Sequence, residues 1–199
     1  MILQDAEAAE ARTALQEVVT SVLARTSPRT DAVAHAEAAA AGGADTALWS
    51  KLSQDIGVVG LAVPEQWGGS GASFAETAVV FEQCGRWLTT VPLFGSWLAA
   101  EAIVRGENAD AAQAWVPALA EGSIVGAVAF PDQPILATQS GEGWVLTGDV
   151  DLVVDGVAAD VLVVPAQTPS GSALVLIHLD GVARSQQEGL DMTRQFARV

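Results

Sequence analysis

Residues Trp49 to Ala99 read WSKLSQDIGVVGLAVPEQWGGSGASFAETAVVFEQCGRWLTTVPLFGSWLA, and the order of signals in this stretch decides the fold. Asp45, just upstream, is placed to cap a helix that carries Leu48, Trp49, Leu52 and Ile56 at helical spacing as far as Gly57. An acidic cap supplies an acceptor that first-turn amides lack, and glycine adopts the left-handed conformation of a helix end without steric cost. A Gly-Leu-Ala-Val-Pro-Glu turn at 60–65 and a glycine loop at 68–72 come next. Ser73 and Glu76 form a capping-box pair ahead of Ala78, Val79, Val80, Phe81 and Cys84. Thr90 is placed to cap the following helix, with Pro92 in its first turn and Trp97, Leu98, Ala102 and Ile103 behind it.

Upstream, Leu15, Val18, Val19, Val22 and Leu23 recur at helical spacing and make one apolar stripe, ended near Pro28. An alanine-rich segment from Asp31 to Ala41 adds a turn or two of helix, broken at Gly42-Gly43. Downstream, Asn108 opens a final helix that runs through Trp115 towards Pro117. Near Gly122 the apolar period drops from 3.6 to 2, and residues 124–130, 144–147, 149–154, 161–165 and 173–179 read as strands. Gly141 and Gly143, Asp155-Gly156 and Pro169-Ser170-Gly171 separate several of them. Strands this close, with no helical pattern between them, predict an α+β chain: an all-helical domain over residues 1–122, then an antiparallel β-barrel or sandwich domain over 123–199. There is no internal repeat.

Charge and composition remove several function classes. Nine Lys and Arg stand against 24 Asp and Glu, a formal net charge of −15. Such a surface repels phosphate backbones, so no nucleic-acid partner is expected, and any anionic ligand needs local arginines or a partner chain to offset the field. The mean hydropathy of +0.34 owes much to alanine. No apolar run reaches the ~18–20 residues that span a bilayer. The first ten residues carry acids where a secretory signal would carry Lys or Arg, so a cytoplasmic protein is expected. One cysteine, Cys84, forbids an intrachain disulfide and reads as a small core residue. With His35 and His178 as its only histidines, the chain offers no metal site.

Single motifs read modestly. The loop Gly68-Gly69-Ser70-Gly71-Ala72 precedes a helix, as a phosphate cradle would, yet it lacks a Gly-Lys-Ser/Thr ending and follows no predicted strand; a tight turn is the better reading. Glu65 has no second carboxylate placed to work with it and reads as solvated. Of the six tryptophans, four sit at helical spacing among aliphatic neighbours and read as packing residues. Leu88, Pro92, Leu93 and Phe94 follow Gly85-Arg86 at a helix start that can wall an apolar pocket.

In order and spacing, residues 49–99 resemble the N-terminal half of an acyl-CoA dehydrogenase. Residues 116–122 (VPALAEG) resemble that family's helix-to-β junction, and residues 143–148 (GWVLTG) the hairpin strand that follows. The resemblance implies a helical N-terminal domain, a middle β domain and a C-terminal helical domain whose positions lie beyond Val199. It implies FAD as cofactor, an acyl-CoA thioester as substrate, and Leu88, Pro92, Leu93 and Phe94 as an acyl-pocket wall. In that chemistry a carboxylate removes the α-proton while the β-hydrogen leaves as hydride to the flavin. The glutamate that does so belongs to the C-terminal domain, so no catalytic residue is assigned within residues 1–199.

The departures from the family pattern fall on flavin contacts. The first flavin loop typically reads Ala-Leu-Thr-Glu-Pro; here it is Ala127, Val128, Ala129, Phe130 and Pro131, without the hydroxyl and the acid. The second typically reads Trp-Ile-Thr-Asn-Gly; here it is Leu152, Val153, Val154, Asp155 and Gly156, without the indole and the hydroxyl. A buried flavin polar edge left without a partner costs about 1–3 kcal/mol per group. The pattern resembles the flavin-poor subunit of bacterial heteromeric acyl-CoA dehydrogenases, which act on sterol side chains or other bulky acyl groups and whose partner subunit keeps the flavin contacts. It implies a hetero-oligomer with an acyl-CoA dehydrogenase partner subunit, a chain inactive alone, and FAD held in the complex. Two alternatives stay open: a catalytic FAD enzyme with an atypical loop, seen as a truncated chain, and a non-enzymatic scaffold of the same fold.

Overall fold

A computed structural model describes residues 2–41, 45–141 and 143–199. Helix α1 (Ile2–Thr26) ends just before Pro28 and buries Val19 and Leu23, with Leu15 and Val22 beside them; Val18 stays half-exposed. A 3₁₀ turn leads into α2 (Ala32–Ala40). The expected break at Gly42-Gly43 lies outside the described residues. Helix α3 (Thr46–Ser50) is capped as its sequence predicts, the Leu48 amide donating to Asp45 Oδ1 at 2.9 Å. It continues as a π-helical turn over Lys51–Asp55 and stops at Gly57, whose φ of +75° only glycine adopts freely.

The glycine loop is a turn. Ser70, Gly71 and Ala72 donate their amides to the carbonyls of Gly60, Val63 and Leu61 at 2.8–2.9 Å, so they are not presented to an anion. Glu65 is exposed at the start of a 3₁₀ turn. Helix α4 (Phe74–Trp87) begins with the Ser73/Glu76 capping box, and Arg12 of α1 reaches Glu76 at 3.1 Å. The Ser73 hydroxyl bond holds the Glu76 carboxyl below its ordinary pKa, with Arg12 assisting. Helix α5 (Leu93–Arg105) has Pro92, not Thr90, at its N-cap; Thr90 is buried two residues before it, too far upstream to cap the first turn. Asn108 caps α6 (Ala109–Glu121), which runs past Pro117 to a left-handed Gly122.

Among the described residues eight strands follow: β1 (Gly126–Val128), β2 (Ile135–Ser140), β3 (Gly143–Thr147), β4 (Val153–Val154), β5 (Val161–Thr168), β6 (Gly171–His178), β7 (Ser185–Gln187) and β8 (Phe196–Arg198). They form two sheets that pack in a sandwich-like way and close no barrel among the described residues: β1-β5-β2-β3 with β6 on β5, and β4-β8-β7. The antiparallel sandwich expected from sequence is present, with two parallel pairings added to it. β1 and β2 both run parallel to β5, end to end along the edge that β6 leaves open, while β2–β3, β5–β6, β4–β8 and β7–β8 are antiparallel. No helix joins the parallel strands among the described residues after Glu121, so these are not βαβ units.

Burial alternates along β5, and this joins the two halves of the chain. Val161 and Val163 pack with Val128 under Ala99, Ile103, Val116 and Leu119 of α5 and α6. Leu162 and Val164 point the other way, into the inter-sheet core with Ala129, Ile135, Ala137 and Val150. A third cluster holds α1, α3 and α4 together through Leu23, Leu48, Leu52, Val58, Val80 and Cys84.

Candidate functional site

Where α4, the start of α5 and the β4–β8 sheet meet, the chain leaves a cleft of about 310 Å³. This is near the small end of ligand-pocket sizes, about 300–1,000 Å³. The walls are mostly apolar: Phe81 from α4, Leu93 and Phe94 from α5, Val154 from β4 and Phe196 from β8. Three polar groups also line it, Thr89, Cys84 and Arg194. Phe81, Phe94 and Trp97 pack as an aromatic cluster behind one wall, with ring centroids 5.4–6.3 Å apart. Burial pushes the Cys84 thiol above its ordinary pKa, so it sits there as an uncharged small residue.

The relative position of α5 and β4 is fixed by buried polar contacts. Asp155, following β4, is 5% exposed and accepts the Gly95 amide on Oδ2 at 2.8 Å. Its own amide donates to the Gln195 carbonyl at 2.8 Å, and the Gly126 amide donates to Ser96 Oγ at 3.2 Å. Gly95 permits this approach: a Cβ there would lie 2.7 Å from the Gly126 oxygen and 3.0 Å from Asp155 Cβ. Burial raises the Asp155 carboxyl to about 6, opposed by the Gly95 amide and by the charge of Arg194. The anchor joins the residues that directly follow Phe94 and Val154, both of which line the cleft.

The family profile for the acyl-CoA dehydrogenase N-terminal domain matches residues 7–123, more than half of the chain. The chain belongs to the acyl-CoA dehydrogenase family. It is 34% identical over 154 residues to the acyl-CoA dehydrogenase IpdE2 of Mycobacterium tuberculosis, covering 77% of this chain and 42% of that protein. It is 36% identical over 138 residues to the acyl-CoA dehydrogenase FadE27 of the same organism, covering 67% of this chain and 37% of that protein. Among solved structures, the Tcur3481-Tcur3483 steroid ACAD superposes with a TM-score of 0.82 at 26% identity, over 96% of this chain and 55% of that one. The ChsE4-ChsE5 complex of Mycobacterium tuberculosis does so at 0.78 and 29%, over 95% and 53%. The chain thus spans less than half the length of these curated relatives.

The five residues that the sequence pattern leads one to expect at a flavin are dispersed. Val154 is half-buried and lines the cleft, presenting methyl groups. Val128 is buried under α5 and α6, and Ala129 is buried between the sheets with its amide donated to the Val163 carbonyl at 2.9 Å. Phe130 is 69% exposed. Leu152 is 60% exposed with φ +56°, and its amide donates to Gln187 Oε1 at 2.7 Å. None of the five side chains offers a hydrogen-bond donor or acceptor. Of the four acyl-wall positions, Leu93 and Phe94 line the cleft; Pro92 is buried at the N-cap of α5, and Leu88 is exposed in the left-handed C-cap of α4.

Sequence reading passed over Thr89, Asp155, Arg194 and Phe196. Asp155 sits in an Asp-Gly pair that looks like a turn, and Arg194 in a stretch with no apolar period. The one available signal was alignment: Asp155 stands at the family's asparagine position. As for membranes, none of the described helices is long and apolar enough to cross one.

Proposed function

We propose that this chain is an acyl-CoA dehydrogenase-like subunit of a heteromeric complex, in which it contributes an acyl-pocket wall and a structural scaffold to FAD-dependent α,β-dehydrogenation of an acyl-CoA thioester. One observation carries the reading. Leu93, Phe94 and Val154 line one cleft, so residues expected to wall an acyl chain and a residue expected at a flavin edge share one space, and the latter offers only methyl groups. An apolar wall suits an acyl chain, and at Val154 a flavin edge finds no hydrogen-bond partner. The side chains at the five expected flavin positions offer a flavin no hydrogen bond, and no step of the reaction is assigned to them. FAD and the proton-abstracting carboxylate come from the partner subunit.

The named complexes among the structural neighbours support a two-subunit arrangement, and one of them being a steroid ACAD supports a bulky acyl group such as a sterol side chain. In this reading residues 1–122 and 123–199 act as the helical and middle domains, and the complex works in the cytoplasm.

Purification of the chain alone, followed by a visible absorption spectrum, tests the assignment. The expected result is no stoichiometric flavin and no acyl-CoA dehydrogenation, with both appearing on co-expression with a catalytic dehydrogenase subunit. A yellow preparation with one flavin per chain overturns it. Leu152→Trp with Val154→Thr is expected to raise flavin affinity without giving activity.

A further inference from the structure

We infer that the cleft holds an acyl group that is apolar along its length and carries a carboxylate, received by Arg194 and Thr89. The inference rests on the reading of this cleft as an acyl pocket and adds the chemistry of what fills it.

Cations are scarce in this chain, and every arginine but one is engaged. Arg12, Arg86, Arg105 and Arg198 lie against carboxylates. Arg25 and Arg184 donate to backbone carbonyls, and Arg29 stands over the Trp87 ring. Among the described residues the Arg194 guanidinium has neither a hydrogen bond nor an ion pair, and it lines a cleft walled by Phe81, Phe94, Val154 and Phe196. Its charge reaches Asp155, Asp191 and Cys84 without contact. Both acids are already committed: Asp155 accepts the Gly95 amide, and Asp191 accepts the amide and hydroxyl of Thr193. A half-buried guanidinium against apolar walls is costly unless an anion meets it.

Thr89 gives an independent second observation. It is 2% exposed, it lines the same cleft, and its Oγ1 has no hydrogen-bond partner of full geometry among the described residues. Its neighbour is the Cys84 thiol, a weak partner. Buried hydroxyls are nearly always bonded, so one whose sole neighbour is a thiol, in the lining of a cleft, marks a place where a ligand atom can complete the set. A carboxylate can accept from a guanidinium and from a hydroxyl at once, and charge-assisted bonds of this kind are the strong ones. The aromatic and aliphatic walls leave the rest of the ligand apolar.

The test uses the full chain and a matched pair of probes, 4-cyclohexylbutanoate and its neutral amide, followed by tryptophan fluorescence, since Trp97 lies 6.3 Å from the Phe94 ring. The expected result is that the carboxylate binds at least about tenfold more tightly than the amide. Arg194→Met should bring the two within about twofold, and Thr89→Val should weaken the carboxylate several-fold, both variants unfolding near the wild-type temperature. Arg194→Lys keeps the charge and should keep part of the preference, which serves if the methionine variant does not fold.

Equal binding of the two probes, absence of binding by either, or a preference that survives Arg194→Met overturns the inference. So does loss of co-purification with the catalytic subunit in Arg194→Met when neither probe binds, because Arg194 then meets a partner's carboxylate. A flavin-loaded chain would undo the proposed function while leaving the carboxylate preference standing. A flavin-free chain with no preference undoes this inference alone.

Discussion

Replacing Asp155 by asparagine should stabilise the protein, and by an amount that depends on pH. Burial raises this carboxyl from 3.8 to about 6, so the folded chain favours the neutral form. A raised acid pKa contributes stability that is fully present below the unfolded value near 4 and is lost as pH rises through about 6, since the folded state then binds a proton that the unfolded state has already released. At about 1.36 kcal/mol for each pH unit between the unfolded and folded values, the loss reaches about 3 kcal/mol by pH 8. At pH 5 about half of that is already lost. Asparagine is never charged, its Oδ1 can still accept the Gly95 amide, and it tolerates the observed φ of +60° at least as well. Urea unfolding of both proteins between pH 5 and pH 8 at fixed ionic strength should show the asparagine variant's advantage growing by about 1.4 kcal/mol across that range. A difference that is flat with pH, or a variant less stable at pH 8, would refute the account of Asp155 as a desolvated carboxyl. Asp155→Ala separates the charge from the contact: it leaves the buried Gly95 amide without an acceptor, at a cost of about 1–3 kcal/mol that offsets the gain.

Other perturbations probe the same framework. Gly95→Ala drives a methyl group to 2.7 Å from the Gly126 carbonyl, and a loss of about 1–3 kcal/mol in denaturant unfolding is expected, because both neighbours are backbone or anchored. Glu76→Gln removes the charge from the capping box and from the Arg12 contact; it should cost about 1 kcal/mol at pH 7. The Glu76 carboxyl is held below its ordinary pKa, so that contribution is present above the unfolded value and fades as pH falls through the folded one, and the two proteins should converge in acid. Leu23→Ala empties a fully buried position between α1 and its neighbours, and thermal unfolding should report about 2–5 kcal/mol of destabilisation.

Helix limits were legible in the sequence because their determinants are local. The caps at Asp45, Ser73/Glu76 and Asn108 and the stop at Gly57 each involve residues within a turn of one another, and each appears where the pattern places it. The strands read at 144–147, 161–165 and 173–179 were legible for the same reason, through alternation and their turns, and correspond to β3, β5 and β6. The β2, β7 and β8 strands were not. β2 lies among prolines and is mostly exposed, and the other two are three residues long, too short for a period to show. Capping at Pro92 instead of Thr90 was decided by burial of Thr90, which depends on what packs around it.

Sequence alone determined the family and the order of its elements, because spacing along the chain carries that information directly. It also determined that Ala129, Leu152 and Val154 bring no polar groups, in any fold, to the positions where the family resemblance expects flavin contacts. Only the tertiary structure decided that β1 and β2 lie parallel to β5, because strand pairing is settled between distant segments that share one hydrophobic face. It likewise decided that Thr89, Val154 and Arg194 share a cleft, and that Asp155 is a buried anchor for α5 sixty residues away in sequence. Burial and proximity across such separations arise from how surfaces fit, and the desolvation that raises an acid or orphans a hydroxyl exists only once those surfaces have met.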